Sequence, residues 1–402
     1  MNNNKRVIDN ESKIIIVGGG SRGLYFTKML SKDMNKHIAA IVDTYKEGHQ
    51  AINYRLLEFG IPGIPIYASL DKAIEEIPRS MSDIMFIMTP EWTHMEIFKK
   101  AVGAGFNIFL EKPIATIKED LLEILKVSRN YEKVVQVGFV LRYSNFYRKI
   151  KDVVDTGVLG NIIVLQLNER LDLRHGGVFK RTWHRKKEYT GGIMNEKCSH
   201  DIDIICWLKE GQSNPKEVIS YGGMHFGTSN KVTPQWCKEC NYKNCPWRWK
   251  GLSSFKNING SHYFDATSSG IGRCIFHSDS DVYDHQNVNI IFDDGSQAIF
   301  TLITMSGEPG RDITIHGTKG YLTGNLESGK IKISQYWEEK TEIIDLGETD
   351  SHGGGDGTVV SEFFTCIDAG KRPLSTIEDG ARASLICFAA DESIVEKRTI
   401  TL

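Results

Sequence analysis

Ile14-Ile15-Ile16-Val17-Gly18-Gly19-Gly20-Ser21-Arg22-Gly23 forms the first apolar run and its turn, and Asp43 closes a second apolar run twenty positions after Gly23. A lone G-x-G-x-x-G says little. Set between a strand and a helix, with an acid that far downstream, it reads as a dinucleotide-binding turn. Gly18 permits the tight turn, Gly20 lets the backbone approach a pyrophosphate, and Gly23 lets helix and strand pack closely. Ser21 and Arg22 lie in the turn, and the phosphates then sit on the unpaired N–H groups of the following helix, at the positive end of its dipole. Asp43 is placed to accept hydrogen bonds from ribose hydroxyls. The competing reading is an ordinary glycine-rich turn.

Working outward, residues 13–140 alternate between β-rich runs and helix-like segments. Strands are expected at Lys13–Val17, Ile38–Val42, Ile64–Tyr67, Asp83–Thr89, Asn107–Leu110 and Val134–Phe139, with helices at Gly23–Leu30, Leu70–Ile77, His94–Ala104 and Ile117–Asn130. That alternation predicts an α/β Rossmann domain, a parallel sheet with helices on both faces. Ile84-Met85-Phe86-Ile87-Met88 is continuously apolar, as a strand buried on both sides requires. Beyond residue 145 the chain becomes β-rich, and turn pairs such as Asp294-Gly295 and Lys319-Gly320 favour antiparallel hairpins. The expected organisation is a disordered lead-in over 1–12, a nucleotide-binding domain over 13–145, and an α+β domain over 146–402 built on a large, mostly antiparallel sheet. A helix at 193–208 is expected to cover one sheet face, leaving the other for an oligomer interface. The last helix, 379–396, is expected to pack back toward the first domain.

A chain of 402 residues can bury a sizeable core, and its net charge of −2 gives no long-range attraction to nucleic acid or membrane. No apolar run reaches the length of a membrane span. The polar start, Met1-Asn2-Asn3-Asn4-Lys5-Arg6, lacks the apolar stretch of a secretory signal, and eight cysteines without a leader suit a reducing compartment. The expected location is the cytoplasm.

Four further stretches carry chemistry. They are Thr89-Pro90-Glu91-Trp92-Thr93-His94, Glu111-Lys112-Pro113 at the end of the fifth strand, Gly138-Phe139-x-x-Arg142-Tyr143, and Gly192…Glu196-x-x-x-His200-x-x-Asp203. With the glycine-rich turn and the closing Ala389-Ala390-x-Glu392-Ser393 helix, they resemble the glucose–fructose oxidoreductase/inositol dehydrogenase (Gfo/Idh/MocA) family from Lys13 onward. Open parallel sheets bind ligands at the carboxyl ends of their strands, so Lys112 is expected to project into a cofactor cleft. Pro113 restricts its backbone. A partly desolvated lysine beside a cationic nicotinamide has a lowered pKa and can exchange a proton with a substrate hydroxyl. The bland alternative is a surface lysine paired with Glu111. Glu196, His200, Asp203 and Trp207 fall on one helical stripe and Met194, Cys198, Ile202 and Ile205 on the opposite one, so a plain amphipathic helix with its polar face in water fits the same pattern.

The resemblance implies that Glu196 and His200 sit over the nicotinamide beside Lys112, with His200 as general acid/base and Asp203 in support. Many family members carry Asp where this chain has Glu196. The longer side chain leaves open whether Glu196 meets substrate or orients His200 or Lys112. The resemblance also makes Thr89, Pro90, His94 and Glu111 cofactor-site residues. Arg142, Tyr143, Arg181, Trp183, His184 and Arg185 are candidate pocket residues, because guanidinium forks and aromatic faces hold polyols and carboxylates. Each serves equally well at a domain interface. In His352-Gly353-Gly354-Gly355-Asp356, His352 is a substrate-site candidate, and Asp356 reads as a helix cap.

Cys237-x-x-Cys240-x-x-x-x-Cys245, with Cys274 after it, stands in a tryptophan-rich insertion within 235–275. Four thiolates with a close first pair suit a structural zinc ion; an iron–sulfur cluster and independent thiols are the alternatives. Cys198, Cys206, Cys366 and Cys387 lie in apolar helical patterns and read as packing residues.

These readings converge on an NAD-dependent dehydrogenase of a sugar, cyclitol or sugar acid, working as a homodimer or homotetramer. Asp43 favours NAD over NADP, because a carboxylate repels a 2′-phosphate and no arginine follows it directly. Two rivals stand beside it. One is a glycosidase or lyase that uses tightly held NAD in an oxidation–elimination–reduction cycle, which the resemblance of the His352–Asp356 loop to a loop of such enzymes supports. The other is a nucleotide-sensing regulator on the same scaffold.

Overall fold

A computed structural model describes residues 13–78, 83–227, 233–249, 272–349 and 352–402. The lead-in expected at 1–12 and most of the second half of the cysteine-rich insertion lie outside the described residues. The chain divides into two compact units: the first takes residues up to Gly138 together with Val359–Ala381, and the second begins at Phe139 and includes Arg382–Leu402. The sequence reading had a single boundary near 145 and returned only the last helix toward the first domain.

The first unit is built on six strands: β1 (Lys13–Val17), β2 (His37–Val42), β3 (Ile66–Tyr67), β4 (Ile84–Ile87), β5 (Asn107–Leu110) and β6 (Val135–Val137). Their order is β3-β2-β1-β4-β5-β6, and every neighbouring pair is parallel. This is the doubly wound arrangement, whose strand order reverses between β1 and β4 and opens a crevice at the carboxyl ends there. The connections include α1 (Ser21–Lys28), α2 (His49–Glu58), α3 (Leu70–Glu76), α4 (His94–Gly103) and α5 (Lys118–Ser128). Ile84 to Ile87 and Ile108 to Leu110 are fully buried, which is why these strands read as unbroken apolar runs. Phe86 and Phe109 stack with centroids 5.0 Å apart, and Phe363 from the returning segment meets both rings edge-on. The returning segment also covers the β6 edge: Val137 N–H donates to Ser375 O (3.1 Å) and Ser375 Oγ donates to Val137 O (2.6 Å). Helix α2 was not foreseen, because it buries only Ile52 and Leu56 and so shows almost no apolar stripe.

The second unit carries α6 (Asn145–Asp155), β7 (Ile162–Asp172), α7 (Leu173–Arg181), α8 (Lys187–Thr190) and α9 (Ile193–Leu208). Then come β8 (Pro215–Gly223), β9 (His285–Phe292), β10 (Gln297–Ser306), β11 (Gly310–Gly317), β12 (Gly320–Asn325), β13 (Lys330–Gln335) and β14 (Thr341–Asp345). Helices α10 (Gly355–Ala369) and α11 (Ile377–Glu396) and strand β15 (Ile400–Thr401) close the chain. The nine strands run β14-β13-β12-β11-β7-β10-β9-β8-β15, antiparallel throughout except for the β7–β10 pair. The hairpins at Asp294-Gly295 and Lys319-Gly320 form where the turn pairs predicted them. Helix α7 was missed, since Gly176 and Gly177 lie at its middle and disguise it.

Helix α9 packs on β7 and β10. All 16 of its residues are buried. A helix with its polar stripe in water is therefore excluded, and each charge on that stripe and beside it needs a partner. Asp203 takes a forked pair from Arg142, with Nε to Oδ2 and Nη2 to Oδ1 both 2.6 Å. Lys197 meets Glu169 of β7 at 2.7 Å, and Arg311 of β11 donates to Asp201 at 2.9 Å and also pairs with Glu169.

Candidate active site

In the first unit, four neighbouring strand ends carry the sequence-derived cofactor residues. Gly18, after β1, has φ of +104°, and a Cβ there would lie 2.7 Å from Met88 O beside β4. A Cβ on Gly23 would collide with Gly18 O, so only glycine lets α1 start this close to β1. Nothing lies within 4 Å of a Cβ placed on Gly20, and Gly20 caps α1 in extended backbone without a side-chain cap. That is open space in front of a helix N-terminus, where a pyrophosphate fits. Ser21 and Arg22 form the first turn of this helix.

Asp43 follows β2. Its Oδ2 accepts from Gly19 N–H (2.8 Å) and its Oδ1 from Tyr45 N–H (2.9 Å), so main-chain donors fix the carboxylate beside the glycine turn. A carboxylate held there is the kind of acceptor that a ribose diol needs. The residues present thus fit an NAD molecule laid across the β1–β4 switch point.

Thr89 and Pro90 follow β4, and Thr93 Oγ1 donates to Thr89 Oγ1 at 2.8 Å. His94 is fully buried, with Nδ1 3.0 Å from Pro113 O and Nε2 3.0 Å from Thr89 O. It ties the loop after β4 to the loop after β5, which makes it a positioning residue for both. Burial holds its pKa below the ordinary histidine value. Glu111, after β5, accepts from Arg22 Nε at 2.6 Å through Oε1 and from Lys112 N–H at 3.1 Å through Oε2. The glycine-rich turn and the Glu-Lys-Pro motif are therefore linked through one carboxylate, an arrangement sequence spacing did not reveal. Lys112 stands at the carboxyl end of β5, and its bond to Pro113 is cis.

In the second unit, Gly192 (φ +99°) leads into α9, and Glu196 and His200 lie one turn apart on it. Glu196 Oε1 lies 3.4 Å from His184 Nε2, while His184 Nδ1 is 2.7 Å from Thr182 Oγ1. The His184 ring stacks on Trp183 with centroids 3.6 Å apart. The His200 ring lies 5.9 Å from Phe139 and 6.1 Å from the His352 ring. His352 Nδ1 meets Asp356 Oδ2 at 2.9 Å. Trp183, His184, Glu196, His200, His352 and Asp356 thus form a chain of aromatic and titratable groups that can stack on a sugar ring and move protons. Asp356, read from sequence as a helix cap, here orients an imidazole.

Other candidates have partners of their own. Arg142 and Tyr143 are each 1% exposed, and the Arg142 fork is committed to Asp203. Arg185 pairs with Asp279 at 2.6 Å, which holds that carboxyl well below its usual range. Arg181 is turned to the cysteine insertion, donating to Arg273 O and Trp247 O.

All eight cysteines are free. Among the described residues, Glu169, Cys198 and Asp201 form the one group of His, Cys, Asp or Glu whose ligand atoms all lie within 4.8 Å of one another. Lys197 and Arg311 already neutralise it, so it has no use for a cation. Burial raises the carboxyl of Asp201; burial acts on Glu169 too, but Arg311 and Lys197 outweigh it and hold that carboxyl low. Cys198 sits in this ionic cluster rather than the apolar setting expected of it. The thiols of Cys237, Cys240, Cys245 and Cys274 stand wider apart than that limit.

The sequence model of the GFO_IDH_MocA oxidoreductase family with NAD-binding Rossmann fold matches residues 12–139, and that of its C-terminal alpha/beta domain matches 151–402. YteT of Bacillus subtilis (strain 168) is 28% identical over 364 residues, covering 82% of this chain and 84% of that protein. An inositol 2-dehydrogenase of Gluconacetobacter diazotrophicus is 30% identical over 140 residues, 34% of this chain and 39% of its own. A levoglucosan dehydrogenase solved with NADH and levoglucosan superposes with a TM-score of 0.74 at 17% identity, covering 97% of this chain and 99% of that one, which establishes a shared fold. No helix among the described residues is long and apolar enough to cross a membrane.

Proposed function

Because the chain belongs to the Gfo/Idh/MocA oxidoreductase family, we propose that it is an NAD-dependent dehydrogenase acting on a hydroxyl-bearing carbon of a sugar, cyclitol or sugar acid. The observation that carries this reading is the pairing of a complete dinucleotide cradle with a second unit that presents two histidines, 6.1 Å apart between ring centroids, on buried supports. NAD, when bound, supplies the acceptor for a hydride. The rest falls to the chain's own side chains. Asp43 holds the adenosine ribose and selects against a 2′-phosphate. Lys112 and His200 handle the hydroxyl proton, Lys112 as a cation that stabilises the developing alkoxide and His200 as its general base. Glu196 and His184 orient the site around His200. Trp183 offers a stacking face, and His352 a hydrogen-bonding ring, to a polyol.

Asp356 beside His352 favours a second reading. A plain dehydrogenation needs one proton acceptor, and a second carboxylate-oriented imidazole suits an enzyme that also breaks a C–O bond. Net NADH formation with polyols supports the dehydrogenase. Glycoside or ether cleavage without net NADH selects the lyase. The decisive variant is Lys112→Ala: turnover falls by roughly 10²–10⁴ while NAD affinity stays within about twofold. Loss of both together makes Lys112 a structural residue, and NAD binding without turnover on any polyol, aldose or sugar acid leaves a sensor.

The same reading includes assembly as a dimer or tetramer through the sheet face opposite α9, where Tyr221 is exposed. Sedimentation of a Tyr221→Lys variant tests it by a fall to monomer. The eight free cysteines support action in the reducing cytoplasm.

A further inference from the structure

The cysteine-rich insertion is built as a thiolate site, and we propose that Cys237, Cys240, Cys245 and Cys274 bind one structural zinc ion in the second unit.

Four observations converge on it. Cys237 to Glu239 form a single 3₁₀ turn that brings Cys240 N–H to Cys237 O (3.3 Å), folding the Cys-x-x-Cys pair back on itself. The fourth cysteine arrives by strand pairing. Trp236 and Arg273 form an antiparallel bridge, with Cys237 N–H donating to Gly272 O (2.9 Å) and Cys274 N–H to Gln235 O (2.8 Å). Cys237 and Cys274 are both buried and lie on adjacent backbones.

Second, a buried cation stands at the cluster: Arg181, 3% exposed, donates to the carbonyls of Arg273, beside Cys274, and of Trp247, in the turn after Cys245. Third, two more arginines attend the cluster. Arg248 donates to Cys240 O (2.8 Å) and Tyr242 O (3.2 Å), and Arg273 lies over the Trp236 ring. Arg273 Nε is buried and has no hydrogen-bond partner among the described residues. Neutral thiols do not require cations gathered round them. Zinc with four thiolates carries two net negative charges, and these arginines, one buried and two half-buried, answer that charge. Fourth, the described part of the insertion has little core of its own: over 233–249 Cys237 is the one buried residue. A segment so poor in buried apolar surface needs another source of folding energy, and metal binding supplies it.

Zinc–sulfur bonds of about 2.3 Å place the sulfurs of a tetrahedral site about 3.8 Å apart, closer than these thiols stand. A change of χ1 rotamer moves a cysteine sulfur by about 3 Å, and zinc binding would draw these sulfurs together by such rotations.

Elemental analysis of the untagged full chain, purified without added metal, is expected to give about one zinc per chain. Cys237→Ser and Cys274→Ser each lower that content at least tenfold, and Cys366→Ser leaves it unchanged. Where a variant does not fold, titration of the native protein with an organomercurial keeps the test open. Zinc is then released in step with the reaction of these four thiols, and cobalt put in its place shows sulfur-to-metal charge-transfer bands. Iron with acid-labile sulfide, zinc well below one per chain, or zinc retained in Cys237→Ser overturns the proposal.

Discussion

Asp203→Ala is the sharpest probe of how the second unit holds its chemistry in place. The Asp203 carboxylate and the Arg142 guanidinium make two parallel bonds of 2.6 Å, and their side chains are only 1% and 2% exposed. Water screens neither charge, so the pair belongs to the buried class and not to the surface class worth about 0–1 kcal/mol. Removing the acid takes from the buried guanidinium its forked carboxylate, beside the Trp207 ring 5.7 Å away. The expected loss is about 3–5 kcal/mol, a large part of the roughly 5–15 kcal/mol that holds a typical domain folded. The double variant Arg142→Met/Asp203→Leu removes both charges and should return to within about 1–2 kcal/mol of the parent. Equilibrium urea unfolding of the second unit, followed by Trp207 fluorescence against a Trp207→Phe control, reads both values. If Asp203→Ala loses less than about 1 kcal/mol while activity collapses, Asp203 acts on substrate and the support assigned to it here is wrong.

Three further outcomes are expected. Asp43→Ala removes the ribose acceptor and frees Gly19 N–H, so NAD affinity falls at least about tenfold and the NAD-to-NADP preference shrinks with it, as isothermal titration with each cofactor will show; an unchanged preference refutes the ribose role. His94 has a folded pKa below its unfolded value of 6.5, so below that pH the unfolded chain takes up a proton that the folded chain refuses. The stability tied to His94 is therefore present above pH 6.5 and lost as pH falls below it, and His94→Gln should flatten the melting temperature between pH 7.5 and 5.5. Asp356→Asn releases the His352 ring, and the pH–rate profile should shift on one limb while NAD affinity holds; an unmoved profile returns Asp356 to the role of helix cap.

Much of the first unit was legible because its signals are local. The run Ile84–Ile87 reads as a strand buried on both faces, and the glycines of the turn answer contacts within a few residues or with the next strand. The Lys112 strand end was equally readable, since the end of a parallel strand is where side chains reach ligand. Helix α2, with two buried side chains, and helix α7, with paired glycines, carry too little periodicity to be seen.

By itself, then, the sequence determined a dinucleotide turn on a parallel sheet and a β-rich second half, because those follow from short-range geometry and residue chemistry. Only the tertiary structure decided which polar groups face which. Arg142 forks onto Asp203, Arg22 and Lys112 share the Glu111 carboxylate, and Asp356 orients His352. Apart from the adjacent Glu111 and Lys112, those partners lie four to eighty-nine positions apart in the chain. A charge taken from water must find a counter-charge in three dimensions, and no linear pattern records which one it finds.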